Sequence, residues 1–368
     1  MNLQINLPHP ADAQLVQRCV EFLHPESEGA SVRPLGRYGY TESRLYLVYC
    51  APQDGGIPFV VKTDRPEVVE REARGVKSLS VYFTGAQSAR IFPHSGPPEA
   101  IIYPLVSLDG AGTVTELKEL VYLPAHARHH GRPDSLELLR STYESCRSSH
   151  VGSITTVNFG DQYDAYLRET PERLLTDPLP HVFPEGSNAR IYGQNFRDPR
   201  RILEAVKQYE VTTFVCPVHG DLHPNNVLFG RNFVPVLIDY AFGHRSGHFI
   251  KDFVLMECSL RFLQTPKLLQ PDLMALLDDV LLEENGYNIA LTGETRGRTA
   301  EVFKETADLV GIIRKECRLR HETYDFSEYL VAQYMMLMGA LRLLPYQDFR
   351  TLRTLCKLAD HIEAEILR

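Results

Sequence analysis

A change of pattern near residue 107 constrains the fold of this chain more than any other sequence feature. Between residues 30 and 106, short β-like runs alternate with Gly and Pro, and one helical stretch, residues 65–83, interrupts them. After residue 112 the apolar positions recur mainly at helical spacing. The order β-β-β-α-β-β followed by helices predicts an α+β protein, with a small antiparallel β lobe joined by a hinge to a larger helical lobe.

The same pattern divides the chain into three predicted segments. Residues 1–29 form a leader with one short helix, and residues 30–107 form the β-rich lobe. Residues 108–368 form the helical lobe, which contains a polar motif at residues 218–244. A chain of 368 residues is too long for one small core, and its length therefore also favours two lobes.

The charge and the cysteine pattern exclude several classes of protein. The formal net charge is −8, which argues against broad binding to nucleic acid or anionic membranes. The seven cysteines are scattered and contain no C-x-x-C pair, so neither a disulfide framework nor a zinc knuckle is expected. The N-terminal residues lack a secretory pattern, and no apolar run reaches the roughly 18 residues of a membrane span. We therefore expect a cytoplasmic protein with no nucleic-acid or membrane partner.

The motif VHGDLHPNNVLFGRNFVPVLIDYAFGH, residues 218–244, carries the densest set of reactive side chains. His219, Asp221 and Asn226 fit H-x-D-x-x-x-x-N, which is the spacing of a phosphoryl-transfer catalytic loop. An Asp at this position can accept a hydroxyl proton and orient its oxygen, and the Asn can bind a metal ion. Asp239 ends the next apolar run, where a carboxylate can hold Mg²⁺ against nucleotide phosphates.

Candidates for phosphate binding lie in the β-rich lobe. Lys62 ends the run FVVK, in the manner of the V-A-I-K pattern whose Lys neutralises nucleotide phosphates. Glu70 or Glu72 in the following helix can pair with it, and Glu72 is preferred because apolar packing positions follow it. Gly36 and Gly39, between the first two strands, would let bare backbone approach phosphates closely.

The segments HGDLHPNN, LIDYAFGH and FVVK resemble the aminoglycoside phosphotransferase and choline kinase group, which has the protein-kinase-like fold. The resemblance implies that Asp221 is the catalytic base and that His219 belongs to the same catalytic set. It also implies that Asn226 and Asp239 hold Mg²⁺ and that Lys62 binds the phosphates of ATP.

The resemblance extends to a hinge and to a narrower branch. It implies that the hinge YPLVSL, Tyr103–Leu108, contacts adenine through its backbone, with Tyr103 and Val106 as binding positions. The segment GHFIKDFVLMECSLRF resembles the ternary-complex-associated kinase-like proteins of bacterial conflict or stress systems. Asp239-Tyr240-Ala241 replaces D-F-G, and no activation loop or A-P-E is evident, so regulated protein-kinase activity is not expected.

The predicted function is an ATP- and Mg²⁺-dependent phosphotransferase of the aminoglycoside phosphotransferase type. It would move the γ-phosphoryl group, in a cleft between the lobes, to a hydroxyl of a small molecule or a partner protein. Two alternatives stay open. One is a non-catalytic nucleotide-binding component of a bacterial conflict or stress system. The other is a metallohydrolase that uses His219, Asp221 and His223, because His and Asp are common ligands of catalytic metals.

Overall fold

The structure is a computed structural model, and it describes most of the chain. The described residues are 7, 9–27, 29–35, 43–50, 58–83, 87–93, 95–105, 114–123, 133–146, 151–167, 178–230, 232–265, 271–288, 298–343 and 348–367. Gly36, Gly39, Val106 and the predicted lobe boundary at residues 107–108 lie outside these ranges. Their predicted roles therefore stay predictions.

The helices and strands before residue 107 follow the order expected from the sequence, whereas short strands as well as helices follow after residue 112. The α-helices of the described residues are α1 Pro10–Leu23, α2 Pro66–Leu79, α3 Ser135–Ser145, α4 Phe159–Leu167, α5 Leu179–Val182, α6 Leu203–Lys207, α7 Lys251–Ser259, α8 Pro271–Val280, α9 Arg298–Arg320, α10 Phe326–Ala340 and α11 Phe349–Glu365. The strands are β1 Ala30–Leu35, β2 Arg44–Cys50, β3 Phe59–Thr63, β4 Arg90–Phe92, β5 Ala100–Pro104, β6 Thr115–Glu116, β7 Ser153–Asn158, β8 Ala189–Ile191, β9 Gln194–Phe196, β10 Glu210–Val218, β11 Val227–Phe229, β12 Pro235–Leu237 and β13 His244–His248.

These elements group into two compact units. The first unit comprises Met1–Leu120, Ser141–Ser149 and His219–Arg245, and the remaining residues form the second unit. The first unit contains the five strands predicted before residue 107 and the helix between them. It also contains residues 219–244 of the polar motif, which the sequence pattern predicts in the helical lobe. The α+β class, with a small antiparallel sheet and many helices, is confirmed.

The sheet of the first unit determines which side chains share a face. Its strands are all antiparallel, in the order β1-β2-β3-β5-β4. The register of β3 with β5 places Lys62 opposite Ile101 and Val60 opposite Tyr103. Because successive side chains of a strand point to opposite faces, these four residues share one face of the sheet.

Helix α1 covers the other face of this sheet. The apolar residues that form this core come from both partners: Leu15, Val16, Cys19 and Val20 from α1, and Tyr46, Val48, Phe59, Val61 and Ile102 from the strands. The sequence placed this helix in a leader, whereas in the structure it completes the core of the first unit. Burial of these apolar side chains stabilises the sheet by the hydrophobic effect.

Helix α2 is held very close to the polar motif. It begins at Pro66, whose missing N–H is tolerated in the first turn. Its buried side is formed by Val68, Val69, Glu72, Ala73, Gly75, Val76 and Leu79. A Cβ atom at Gly75 would lie 1.9 Å from the carbonyl oxygen of Tyr240, so only a glycine allows this approach. The contact fixes α2, and with it Glu72, against the segment that follows Asp239.

The polar motif is a loop followed by a short antiparallel hairpin. Strands β11 and β12 pair with Val227 opposite Leu237, and Ile238 N–H donates to the carbonyl oxygen of Asn226 at 3.1 Å. Gly220 has a φ of +77°, and a Cβ atom there would lie 2.1 Å from the carbonyl oxygen of Phe242. Both the conformation and the contact require glycine, which explains the Gly of HGD.

The second unit is mainly helical and contains a three-stranded sheet in the order β13-β10-β7. Helix α10 is buried along most of its length and includes Met335, Met336 and Met338, as expected for a core helix. In the part of the chain that the structure describes, no helix is both long and apolar enough to cross a bilayer.

A chain of buried ion pairs lies in the second unit. Glu257 is fully buried and accepts from Arg261 at 2.7 Å and from Arg314 at 2.9 Å. Arg261 also forms an ion pair with Asp278 at 3.0 Å, and Arg350 forms a second ion pair with Asp278 at 2.7 Å. The two arginines around Glu257 outweigh its burial, which alone would raise its pKa, and lower that pKa to about 2.

Candidate active site

Lys62 lies at the centre of a buried charge cluster in the first unit. Its side chain is 2% exposed, and Nζ lies 2.6 Å from Glu72 Oε2 and 2.6 Å from Asp239 Oδ2. Burial by itself would lower the pKa of Lys62, but the two carboxylates raise it above its ordinary value. The ammonium therefore stays charged and is held between two acids.

Glu72 is the carboxylate of α2 that pairs with Lys62. It is 1% exposed, whereas Glu70 lies on the exposed side of the same helix. Burial raises the pKa of Glu72 to about 7, although the Lys62 ammonium opposes the change. The structure thus selects between two acids that the sequence left open.

The Tyr103 side chain is a member of the cluster that the sequence did not indicate. Its hydroxyl donates to Glu72 Oε1 and accepts from the backbone N–H of Asp239, with a nitrogen–oxygen distance of 3.2 Å. The signal available in the sequence was a tyrosine in a strand, β5, that is otherwise apolar. The pair Val60–Tyr103 lies two register positions from the pair Lys62–Ile101. Contact of its backbone with adenine stays a prediction.

Asp239 presents one bound and one unbound carboxylate oxygen. Burial would raise its pKa, but Lys62 lowers it below the usual range, so the carboxylate is ionised. Oδ2 contacts Lys62, while Oδ1 is buried and has no hydrogen-bond partner among the described residues. A buried acceptor without a partner is costly and is often a place where an ion or ligand binds.

His219 links the catalytic loop to the strand that precedes Asp239. Its Nε2–H donates to the carbonyl oxygen of Ile238 at 2.9 Å, and its Nδ1 accepts from the N–H of Asp221 at 3.3 Å. The ring is fully buried and lies 4.6 Å from the ring of Tyr240, centroid to centroid. Both nitrogens are used within the protein, so His219 is not available as a metal ligand in this arrangement.

Asp221 has 25% of its side chain accessible and is more exposed than Asp239 or Glu72. Asn226 is anchored through its amide nitrogen, which donates to the carbonyl oxygen of Asp221 at 2.8 Å and leaves its oxygen Oδ1 for other contacts. His223 Nε2 lies 3.7 Å from Asp221 Oδ2. Burial lowers the pKa of His223 to about 4, so its ring is neutral near pH 7.

A comparison with known families identifies the family of the chain. Residues 128–342 match the model of ternary complex associated domain 9, which is more than half of the chain. The chain belongs to the ternary complex associated domain 9 family. No protein of curated function matches it significantly.

Several solved structures are similar to this ternary complex associated domain 9 chain. Choline kinase LicA from Streptococcus pneumoniae is 9% identical, with a TM-score of 0.42 over 96% of this chain and 99% of that chain. Macrolide 2'-phosphotransferase type I is 16% identical, with a TM-score of 0.35 over 90% of this chain and 99% of that chain. A thermostable mutant of aminoglycoside phosphotransferase APH(4)-Ia, in complex with ADP and hygromycin B, is 10% identical. Its TM-score is 0.41, and the match covers 94% of this chain and 98% of that chain.

The oxygens of Asp239 and Asn226 fit a magnesium ion. The unpartnered carboxylate oxygen of Asp239 and the amide oxygen of Asn226 are hard donors, which Mg²⁺ prefers, and phosphate oxygens and water ordinarily complete its shell. Within the described ranges, no group of three or more His, Cys, Asp and Glu side chains is arranged to hold a metal ion.

Proposed function

We propose that this protein is an ATP- and Mg²⁺-dependent phosphotransferase, which moves the γ-phosphoryl group to a hydroxyl of a small molecule or a partner protein. One observation carries the proposal: Lys62 Nζ lies 2.6 Å from Asp239 Oδ2, while Asp239 Oδ1 has no partner in the described part of the chain. A fixed cation and an acceptor oxygen that lacks a donor are what a phosphate group and its metal ion require.

Lys62 binds the phosphates in this proposal, and Glu72 holds Lys62 in place. Glu72 is buried, and its Oε2 lies 2.6 Å from the ammonium of Lys62 and holds it in place. A phosphate oxygen can then take the place of Asp239 Oδ2 on Lys62 without rotation of the Lys side chain. Lys62 is already held in its binding position, so little conformational entropy is lost when the nucleotide binds.

Asp239 and Asn226 hold the metal. When bound, Mg²⁺ neutralises charge on the phosphates as the bond to the γ-phosphorus breaks. Ionised Asp239 supplies the negative charge, and Asn226 supplies a neutral oxygen from the loop that also carries Asp221. The hydrogen bond from Ile238 N–H to the Asn226 carbonyl keeps the two segments side by side.

Asp221 orients the acceptor. The acceptor oxygen forms a bond to the γ-phosphorus, the bond from that phosphorus to the β,γ-bridging oxygen breaks, and ADP leaves. The hydroxyl proton passes to the Asp221 carboxylate. His219 acts as a positioning residue, because its ring holds the Asp221 N–H and does not reach the surface.

Thermal stabilisation by ATP, with and without Mg²⁺, tests the proposal, followed by a screen for transfer of labelled γ-phosphate. We expect Mg²⁺ and ATP together to raise the Tm of the wild-type protein, and Asp239→Ala to abolish this effect. Asp221→Asn should keep the stabilisation and lose transfer by about 100-fold or more. Undiminished turnover in Asp239→Ala would contradict the proposal. Binding without any transfer would favour the non-catalytic alternative.

A further inference from the structure

The hydroxyl of Tyr103 closes a ring of four residues in the first unit. Lys62 Nζ contacts Asp239 Oδ2, and the N–H of Asp239 donates to the Tyr103 oxygen. The Tyr103 O–H donates to Glu72 Oε1, and Glu72 Oε2 returns to Lys62. Each member of the ring therefore contacts two of the others.

The hydroxyl of Tyr103 is fixed by two hydrogen bonds. The side chain is fully buried. The hydroxyl donates one hydrogen bond, to Glu72 Oε1, and accepts one, from the backbone N–H of Asp239. A phenylalanine would fill the same space and make neither bond.

The accepted bond supports an unusual backbone conformation. Asp239 has a φ of +69°, which lies in the left-handed region that residues other than glycine seldom adopt. This conformation determines where the carboxylate points, and it persists only if surrounding contacts hold it. The Tyr103 hydroxyl is one such contact, and it acts on the peptide N–H of Asp239 itself.

We infer that Tyr103 is a positioning residue that aims the carboxylate of Asp239 at the metal. The inference rests on the proposed function and assigns the side chain a task distinct from any contact with adenine. Its importance rises when the nucleotide binds. Phosphates then compete with Asp239 for Lys62, and the bond from the peptide N–H to the hydroxyl continues to hold Asp239 in place.

The substitution Tyr103→Phe tests this role by calorimetric titration with ATP, with and without Mg²⁺. We expect the affinity for metal-free ATP to stay within about two-fold of wild type. The affinity for ATP in Mg²⁺ should fall about ten-fold or more, as is typical when a residue that orients a metal ligand is removed. Equal losses in both titrations, or no loss in Mg²⁺, would overturn the inference.

Tyr46→Phe is the matched control. Tyr46 lies in the same sheet, is 3% exposed, and its hydroxyl donates to Asp12 in the core against α1. Removal of the Tyr46 hydroxyl breaks its buried hydrogen bond to Asp12 and leaves the ring of four residues intact. The effect of Mg²⁺ on the affinity for ATP should therefore match that of the wild type. If Tyr46→Phe changes this dependence as much as Tyr103→Phe, the effect is a general loosening of the sheet, and the inference fails.

The wild-type titration separates this inference from the function on which it rests. If the wild-type protein binds no ATP, or binds it without regard to Mg²⁺, the proposed function fails. If the wild-type protein depends on Mg²⁺ and Tyr103→Phe depends on it equally, the function stands and only the role of Tyr103 fails.

Discussion

The Nε2–H of His219 donates to the carbonyl oxygen of Ile238 at 2.9 Å, and Ile238 directly precedes Asp239. The other ring nitrogen accepts from the N–H of Asp221 at 3.3 Å. One buried imidazole thus connects the backbone at the proposed base with the backbone at the proposed metal ligand. We therefore expect the relative position of the Asp221 and Asp239 carboxylates to depend on this buried side chain.

We expect His219→Leu to reduce the rate of γ-phosphate transfer by about 100-fold, because small displacements of reacting groups have effects of that size. The rate is measured with the acceptor that the screen identifies, or with water. His219→Gln keeps an N–H donor of similar reach and should recover part of the loss. Equal rates in the Leu and Gln variants would show that the hydrogen bond to Ile238 is not the cause.

The two acids of α2 give a second prediction. Glu72→Gln should weaken ATP binding about ten-fold, since a hydrogen bond to a charged group contributes about 1.5–3 kcal/mol. Glu70→Gln, on the exposed side of the same helix, should bind ATP as the wild type does. Calorimetric titration of both variants checks the prediction. A loss in Glu70→Gln as large as that in Glu72→Gln would be the contrary result.

Gly75→Ala is expected to destabilise the protein, although alanine has a higher helix propensity than glycine. In an exposed helix the change would stabilise by about 1 kcal/mol. Here the new methyl group would lie 1.9 Å from the carbonyl oxygen of Tyr240, so α2 must move, at a cost of about 1–3 kcal/mol. We expect a lower Tm and weaker ATP binding, because Glu72 moves with the helix. Arg74→Ala, at the exposed neighbouring position, should change neither quantity.

Glu257 provides a prediction about stability and pH. Glu257→Gln leaves Arg261 and Arg314 without their shared carboxylate and should destabilise the protein by about 3–5 kcal/mol at pH 7. The folded-state pKa is about 2, below the ordinary value of 4.5. The stabilisation is therefore complete above about pH 4.5 and is lost as the pH falls through about 2.

Denaturant unfolding at several pH values measures this effect. The difference in the free energy of unfolding between wild type and Glu257→Gln should decrease as the pH falls from 4.5 towards 2. Glu363→Gln serves as the control, because Glu363 is 38% exposed and pairs with Arg201 at the surface. Its cost should stay under about 1 kcal/mol. If the loss of unfolding free energy in Glu257→Gln does not vary with pH, the predicted dependence of stability on the ionisation of Glu257 is wrong.

The sequence was informative where the chemistry is local. His219, Asp221 and Asn226 could be selected by their spacing, since a catalytic loop presents its side chains from consecutive residues. Asp239 and Lys62 could be selected because each ends an apolar run that predicts a strand. The five strands before residue 107 could be predicted as well, and the structure contains all of them.

The sequence could not decide contacts between segments that are far apart in the chain. The sequence favours Glu72 over Glu70 through the apolar residues that follow Glu72, but it leaves the pairing open. The packing of α2 close to Tyr240 accompanies the burial of Glu72 as the partner of Lys62. Helix α1 resembled a separate leader, because its apolar residues do not reveal which surface they cover.

What the sequence by itself determined is therefore the set of reactive residue types and the order of the strands, both of which depend on short-range spacing. The tertiary structure decided their neighbours. It brought the Tyr103 hydroxyl within 3.2 Å of the Asp239 N–H, although 136 residues separate them in the chain. Such a contact depends on sheet register and on the packing of whole elements, which no local pattern encodes.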